Sequence, residues 1–108
     1  MTIAEQDDFR LVRNRVEQIC EQYRVAEIKL RNINNSILNN KINEKQINQY
    51  RNYVRTFELI LRCLNKEEAN LIRDINLNRI PSDKLGYSRS IYYVKYRKAA
   101  TSFLRYLS

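Results

Sequence analysis

Only one glycine, Gly86, and one proline, Pro81, occur in this chain of 108 residues. Because these two residue types interrupt α-helices most strongly, nearly the whole chain is free to be helical. Apolar residues make up 44% of the sequence and are spread along its length. The sequence therefore predicts an all-α fold with a modest core, punctuated at one place near its end.

A helical seam runs through the first third of the chain. Its apolar residues alternate in steps of three and four: Phe9, Val12, Val16, Ile19, Tyr23, Ala26, Leu30, Ile33 and Ile37. A second seam follows a predicted break at residues 39–44: Ile47, Tyr50, Val54, Phe57, Leu61 and Leu64. Such heptad spacing predicts long helices that pack lengthwise. Residues 1–64 are therefore expected to form a coiled-coil-like antiparallel helical hairpin.

The first seam is longer than the second. Three of its positions, Phe9, Val12 and Val16, are left to be covered by the rest of the chain or by a second subunit. This mismatch favours a homodimer or partner seam at these residues, although a hairpin that closes on itself is common at this length.

The C-terminal unit, residues 65–108, carries several helix start and stop signals. Asn65 resembles the first residue of a capping box and predicts a helix start. Pro81 suits the first turn of a very short helix, which Gly86 would end by taking a positive φ. Ser88 is then the predicted N-cap of a last helix. A very short helix, a glycine turn and a capped helix, in this order, predict a helix-turn-helix motif.

Most of the net positive charge lies in the last thirty residues. One acid, Asp83, stands there against seven basic residues, which accounts for +6 of the chain's net +8. The basic residues are Arg79, Lys84, Arg89, Lys95, Arg97, Lys98 and Arg105. Cations gathered on a helical unit are typical of nucleic-acid binding, while a merely solvated face is the plainer interpretation. The turn signals favour nucleic-acid binding.

The residues around this turn also carry a family resemblance. The run Lys84-Leu85-Gly86-Tyr87-Ser88-Arg89-Ser90 resembles the Leu-Gly-Val-Ser-Arg turn in region 4 of bacterial primary sigma factors. The run Ser90-Ile91-Tyr92-Tyr93, with Arg97-Lys98-Ala99 after it, is similar to the Ser-Thr-Tyr-Tyr pattern of phage late-transcription regulators of the ArpU type. The resemblance covers residues 57–107. It implies a promoter-binding helix-turn-helix that acts with RNA polymerase, and it makes four residues candidates for base contacts: Arg89, Ser90, Tyr93 and Val94.

The chemistry of the basic residues gives them separate expected roles. An arginine in the first turn of a helix in the major groove can bond guanine at two points, so Arg89 is expected to set specificity. Contacts to DNA phosphates are expected from Arg79, Ser82, Lys84, Ser88, Arg97 and Lys98. Among the tyrosines, which could otherwise stack on single-stranded bases, Tyr93 alone is predicted to lie outside the core.

Several functions are not indicated by the sequence. It has no histidine, no glycine-rich phosphate loop and no CxxC pair, so it predicts no enzyme, metal site, cofactor or small-molecule substrate. Cys20 and Cys63 fall on or beside apolar stripes and are expected to be buried, reduced thiols. No membrane span or signal-peptide run is found, which predicts a cytoplasmic protein without membrane contact.

The predicted function is therefore a sequence-specific transcription regulator that binds double-stranded DNA through residues 65–108. Residues 1–64 would serve dimerisation or contact with RNA polymerase. The alternative is a non-enzymatic adaptor of the transcription machinery that uses the heptad helices, with the basic end only assisting. Binding to structured RNA is a third alternative.

Overall fold

Helices account for nearly all of the described chain. The computed structural model describes residues 3–33 and 44–107, with side chains from Asp8 onward. These ranges hold four α-helices and no strand: α1 (Ile3–Arg31), α2 (Glu44–Cys63), α3 (Lys66–Ile72) and α4 (Arg89–Arg105). A π-helical turn, Arg73–Leu77, prolongs α3, and a 3-10 turn, Ser82–Lys84, precedes α4. The predicted all-α class is confirmed.

The helices α1 and α2 lie side by side in antiparallel order. Ala26, towards the end of α1, lines a cavity together with Gln49 near the start of α2. Arg15, in the middle of α1, lines another cavity together with Ile60 near the end of α2. The predicted break at residues 39–44 falls, except for its last residue, outside the described ranges, as does the seam residue Ile37.

Two tyrosines join α1 to α2. The Tyr23 ring stacks on Phe57 with a centroid distance of 4.1 Å, and its hydroxyl donates to Glu58 Oε1 at 3.1 Å. The Tyr53 hydroxyl donates to the carbonyl of Ile19 at 2.8 Å. Burial, and then the hydrogen bond to Glu58, raise the pKa of Tyr23 above its ordinary value. The phenol therefore stays protonated and remains a donor.

The residues predicted as a seam between subunits are covered within one chain. Val16 has no exposed surface, and Phe9 and Val12 are partly buried against the core. The Phe9 ring contacts Tyr93 and Tyr96 of α4, with centroid distances of 4.7 and 5.8 Å. The prediction of a dimer or partner seam at Phe9, Val12 and Val16 is therefore corrected. The part of the first seam that α2 does not cover packs against α4. Heptad spacing in α1 and α2 gives no information on where α4 lies.

One hydrophobic core draws on all four helices. The largest side chains that are completely buried are Val16, Cys20, Ile72, Tyr96 and Phe103. The Phe103 ring of α4 meets Phe57 of α2 edge to face, with a centroid distance of 5.5 Å. Residues 1–64 and 65–108, predicted as two units, thus share this core, and α4 is fixed to the rest of the chain along one side.

Candidate nucleic-acid interface

A tight turn sets the point at which α4 begins. Gly86 has φ +79°, a backbone conformation that glycine adopts without steric cost. Ser88 then has extended backbone, and its Oγ accepts a hydrogen bond from the Ile91 N–H at 3.3 Å. The predicted positive φ at Gly86 and the predicted cap at Ser88 are both confirmed. These two residues orient the first turn of α4.

The element before this turn is a very short helix, as predicted, and only the place of Pro81 differs by one residue. Ser82–Lys84 forms a single 3-10 turn, with the Leu85 N–H donating to the Ser82 carbonyl at 3.2 Å. Pro81 precedes the turn with φ −60° and ψ 145°, so it is the N-cap and not a first-turn residue. Only three residues separate Pro81 from Leu85, which leaves room for one i to i+3 turn but not for a first helix of ordinary length.

Replacing Gly86 by Ala is expected to lower the free energy of unfolding by about 1 kcal/mol, because a left-handed backbone is unfavourable for any residue with a Cβ. A Cβ built at this position meets no atom within 4 Å, so steric contact adds nothing to that loss. Chemical denaturation with urea measures the change. Gly86→Asn is the matched control and is expected to lose less, since asparagine tolerates this conformation better. A neutral Ala variant would contradict the expectation.

The helix α4 has one face in the core and one face in solvent. The core side is formed by Tyr96, Ala99, Ala100 and Phe103, none of which has exposed surface. The exposed stripe of α4, which we define by its spacing of three and four residues, consists of Ile91, Val94, Lys98, Thr101 and Arg105. The 17 residues of α4 contain no acid. This arrangement presents a cationic and partly apolar helix surface to solvent.

Three of the four predicted base-contact residues lie at the exposed start of α4. Arg89 and Ser90 are exposed, and Val94 keeps 63% of its surface. Within the described residues, no ion pair engages Arg89, so its guanidinium can reach a ligand. These three residues form the candidate base-contact group.

Tyr93 differs from the other three candidates. Its ring packs against Phe9 of α1, and its hydroxyl accepts a hydrogen bond from Arg97 Nη1 at 3.2 Å. Tyr93 is half-buried at the margin of the hydrophobic core, because the N-terminal part of α1 covers one side of its ring. Tyr93 therefore helps to position α4, and its role in base contact stays a prediction.

The predicted phosphate-binding residues do not form one cluster. Lys84, Lys98 and Ser82 are exposed, and neither lysine has an ion-pair partner in the described part of the chain. Arg79 instead pairs with Glu21 at 3.1 Å and lines a different cavity, beside α1. Arg97 is half-buried against Tyr93.

The hydroxyl of Ser88, another predicted phosphate ligand, accepts the capping hydrogen bond from the Ile91 N–H. Its first role is therefore to begin α4, and Lys84 and Lys98 are the best placed of the predicted phosphate ligands.

An open cleft lies between the start of α3 and the exposed stripe of α4. Lys66, Glu67 and Glu68 line it on one side, and Ser90, Ile91, Val94, Lys95 and Lys98 line it on the other. Lys95 Nζ lies 2.6 Å from Glu67 Oε1, and this hydrogen bond raises the pKa of Lys95. Lys95 thus balances the charge of Glu67, the exposed acid of the cleft. Lys66 and Lys98 remain as the cations that the cleft presents to solvent.

Ile91 and Lys66 line this surface and are not among the predicted site residues. Ile91 belongs to the exposed stripe by its spacing of three and seven residues from Val94 and Lys98. That spacing is visible in the sequence, but an isoleucine is normally assigned to a core. Lys66 follows the Asn65 cap, whose Oδ1 accepts from the Glu68 N–H at 2.8 Å. Its place across from α4 comes from tertiary packing.

A buried polar network holds the end of α3 against α1 and α4. Arg24 of α1 donates to the main-chain carbonyls of Asn76 and Leu77 in the π-helical turn, the latter at 2.7 Å. The side-chain Oδ1 of Asn76 accepts from the Tyr96 hydroxyl at 3.0 Å. Burial raises the pKa of Tyr96, so the phenol stays protonated and donates. No local pattern predicts these contacts, because Arg24 and Asn76 are far apart in sequence.

The remaining reactive groups do not form a second site. Cys20 is buried, and burial raises the pKa of its thiol to about 12. Cys63 is exposed, which corrects the prediction that both thiols are buried. Over residues 3–33 and 44–107, no group of three cysteine or acidic side chains could hold a metal ion, and no helix has the length and apolar character needed to cross a membrane.

Comparison with known proteins finds a relative in a bacterium. The chain is similar to the uncharacterized protein MG284 of Mycoplasma genitalium, with 34% identity over 83 residues. The matched segment is 76% of this chain and 62% of that protein, so the chain spans less than two thirds of its relative. No protein-family model matches the sequence, and no solved structure matches it.

Proposed function

We propose that this chain is a transcription regulator that binds double-stranded DNA sequence-specifically, with the exposed stripe of α4 in the major groove. The observation that carries the proposal is the division of α4 into a fully buried face and an exposed face without acids, behind a glycine turn. Such a helix is about 25 Å long at about 1.5 Å per residue, and the major groove admits an α-helix.

The order of residues along α4 fits this placement. The residues at the start of a groove-bound helix meet base edges, and here Arg89, Ser90 and Val94 are exposed at that end. Lys98 and Arg105 follow Val94 on the exposed stripe, where cations can neutralise phosphates. The resemblance of residues 84–90 to the sigma region 4 turn supports the same orientation, and it is the basis for including RNA polymerase as a partner. Such a regulator would act in the cytoplasm.

The two alternatives have weaker support. An adaptor that binds a partner through the heptad seam of α1 needs that seam to be exposed. Its residues Val16, Ile19 and Tyr23 are instead buried within the chain. Structured RNA is disfavoured because the major groove of an A-form helix is too narrow for side chains to read. Competition with duplex RNA of the same sequence is therefore expected to be weak.

Substituting Arg89 and Lys98 separately tests the proposal. Arg89→Ala is expected to reduce the preference for a selected duplex over a scrambled one by about 1–3 kcal/mol, because it removes a two-point contact to guanine. Lys98→Ala is expected to weaken both duplexes alike and to lower the salt slope by about one unit, because it removes one phosphate contact. Fluorescence anisotropy titrations at several salt concentrations measure both quantities, with duplexes selected from a random pool.

Lys45→Ala is the matched control. Lys45 is exposed at the start of α2, at the end of the α1–α2 pair opposite to the residues that contact α4, and its loss is expected to leave binding unchanged. If each variant lost the same affinity for the selected duplex as for the scrambled one, Arg89 would not set specificity, and its role would not differ from that of Lys98. Failure of the unaltered protein to bind any duplex would overturn the proposal itself.

A further inference from the structure

Two large aliphatic side chains stand exposed in the middle of the candidate interface. Ile91 keeps 48% of its surface and Val94 keeps 63%, although the core is adjacent. They lie three residues apart on the exposed stripe, so their side chains are neighbours on one helix face. Both also line the cleft between α3 and α4. Core packing does not account for this apolar pair, which we call the Ile91–Val94 patch.

The surroundings of the Ile91–Val94 patch favour a polyanion as its occupant. Lys66 and Lys98 border it within the same cleft. The exposed acid nearby, Glu67, is paired with Lys95. An apolar patch inside a cationic rim matches a ligand that carries methyl groups between phosphates.

Duplex DNA presents such methyl groups in its major groove. Thymine alone among the four bases carries a C5-methyl there, and apolar side chains make favourable contact with it. Isoleucine and valine branch at Cβ, so their χ1 angles are restricted in a helix and their methyl groups are held in place. Little side-chain entropy would be lost when they meet a base.

We propose that Ile91 and Val94 recognise thymine methyl groups, so that the preferred DNA site carries thymines at the base pairs that the exposed stripe of α4 meets. This inference rests on the proposed function and specifies its target: a duplex read partly through methyl groups, and not through hydrogen bonds alone.

Replacing thymidine by deoxyuridine, one position at a time, tests the inference. Uracil keeps every hydrogen-bonding group of thymine and lacks only the methyl group. The unaltered protein is expected to lose about fourfold in affinity for each contacted methyl, the equivalent of one buried carbon. Anisotropy titration against the selected duplex and its uracil versions measures this ratio.

Val94→Ala and Ile91→Ala identify the side chains that sense the methyl group. Each variant is expected to bind the thymine and uracil versions of one position equally, while it keeps the salt slope of the unaltered protein. Both positions are exposed and alanine is a strong helix former, so the circular dichroism spectrum is expected to stay unchanged. Leu59→Ala, at an exposed leucine of α2, is the matched control and should retain the full uracil effect.

The outcomes separate this inference from the proposed function. Sequence-selective, salt-dependent binding with no uracil effect at any position would overturn methyl recognition and leave DNA binding intact. A uracil effect that persists in both alanine variants would assign the methyl contact to another residue and also overturn the inference. Absence of duplex binding would overturn both, and capture of an acidic amphipathic peptide by the patch would then assign it to a protein partner.

Discussion

Replacing Val16 by Asp is expected to abolish cooperative folding of the whole chain. Val16 has no exposed surface and belongs to the core that all four helices share. A carboxylate placed there without a partner loses its hydration, which costs several kcal/mol. A domain of this size has a total stability of about 5–15 kcal/mol, so most of it would be lost. Far-ultraviolet circular dichroism and a urea titration measure the loss of helix and of the transition.

A second aspartate on the same helix provides the control. Leu11 keeps 68% of its surface, so Leu11→Asp is expected to leave the urea midpoint nearly unchanged. A folded Val16→Asp protein that becomes monomeric, when the parent chain is dimeric in size-exclusion chromatography, would contradict the core assignment. That result would return Val16 to a seam between subunits.

Replacing Phe103 by Ala is expected to lower the free energy of unfolding by about 3–5 kcal/mol, the range for deleting a buried phenyl ring. Phe103 has no exposed surface, and its ring meets Phe57 edge to face, which ties α4 to α2. The shift of the urea midpoint at constant slope gives the size of the loss.

Two further substitutions, one within α4 and one just beyond its end, provide values for comparison with this loss. Phe103→Leu keeps most of the buried volume and is expected to lose clearly less than the alanine variant. Leu107 keeps 42% of its surface, so Leu107→Ala is expected to change stability by about 0.5 kcal/mol or less. A loss below about 1.5 kcal/mol for Phe103→Ala would mean that the site closes around the gap, and that α4 is held mainly by other contacts.

The parts of the fold that depend on local chemistry could be predicted from the sequence. The scarcity of glycine and proline predicted helices, and the caps at Asn65 and Ser88 lie where their side chains bond the first turns. Gly86 takes the positive φ expected of it. In each case the deciding interaction joins residues only a few positions apart, so the sequence contains all of its participants.

The errors arose where the deciding contact is long-range. Phe9 is predicted to meet a second subunit and Tyr93 to lie outside the core, and the two rings pack on each other within one chain. Arg79 is predicted to bind phosphate, and its exposed guanidinium forms an ion pair with Glu21 of α1 that the local sequence does not indicate. Periodicity specifies which face of a helix is apolar, but it does not specify which of several apolar faces will meet.

The candidate site was partly predictable for the same reason. The exposure of Arg89, Ser90 and Val94 follows from their position on α4, which the cap at Ser88 sets. The cleft that Lys66 shares with Val94 depends on the packing of α3 beside α4, for which the sequence has no separate signal.

The two-sided character of α4 bears on how a protein of this kind can change its target. Tyr96, Ala99, Ala100 and Phe103 anchor the helix, whereas Ser90, Ile91 and Val94 take no part in that anchoring. Under the proposed function, substitutions at those outward positions can change which bases are contacted while the core residues stay the same. A lineage could thus acquire new binding sites through a few surface replacements, without first having to evolve a new architecture.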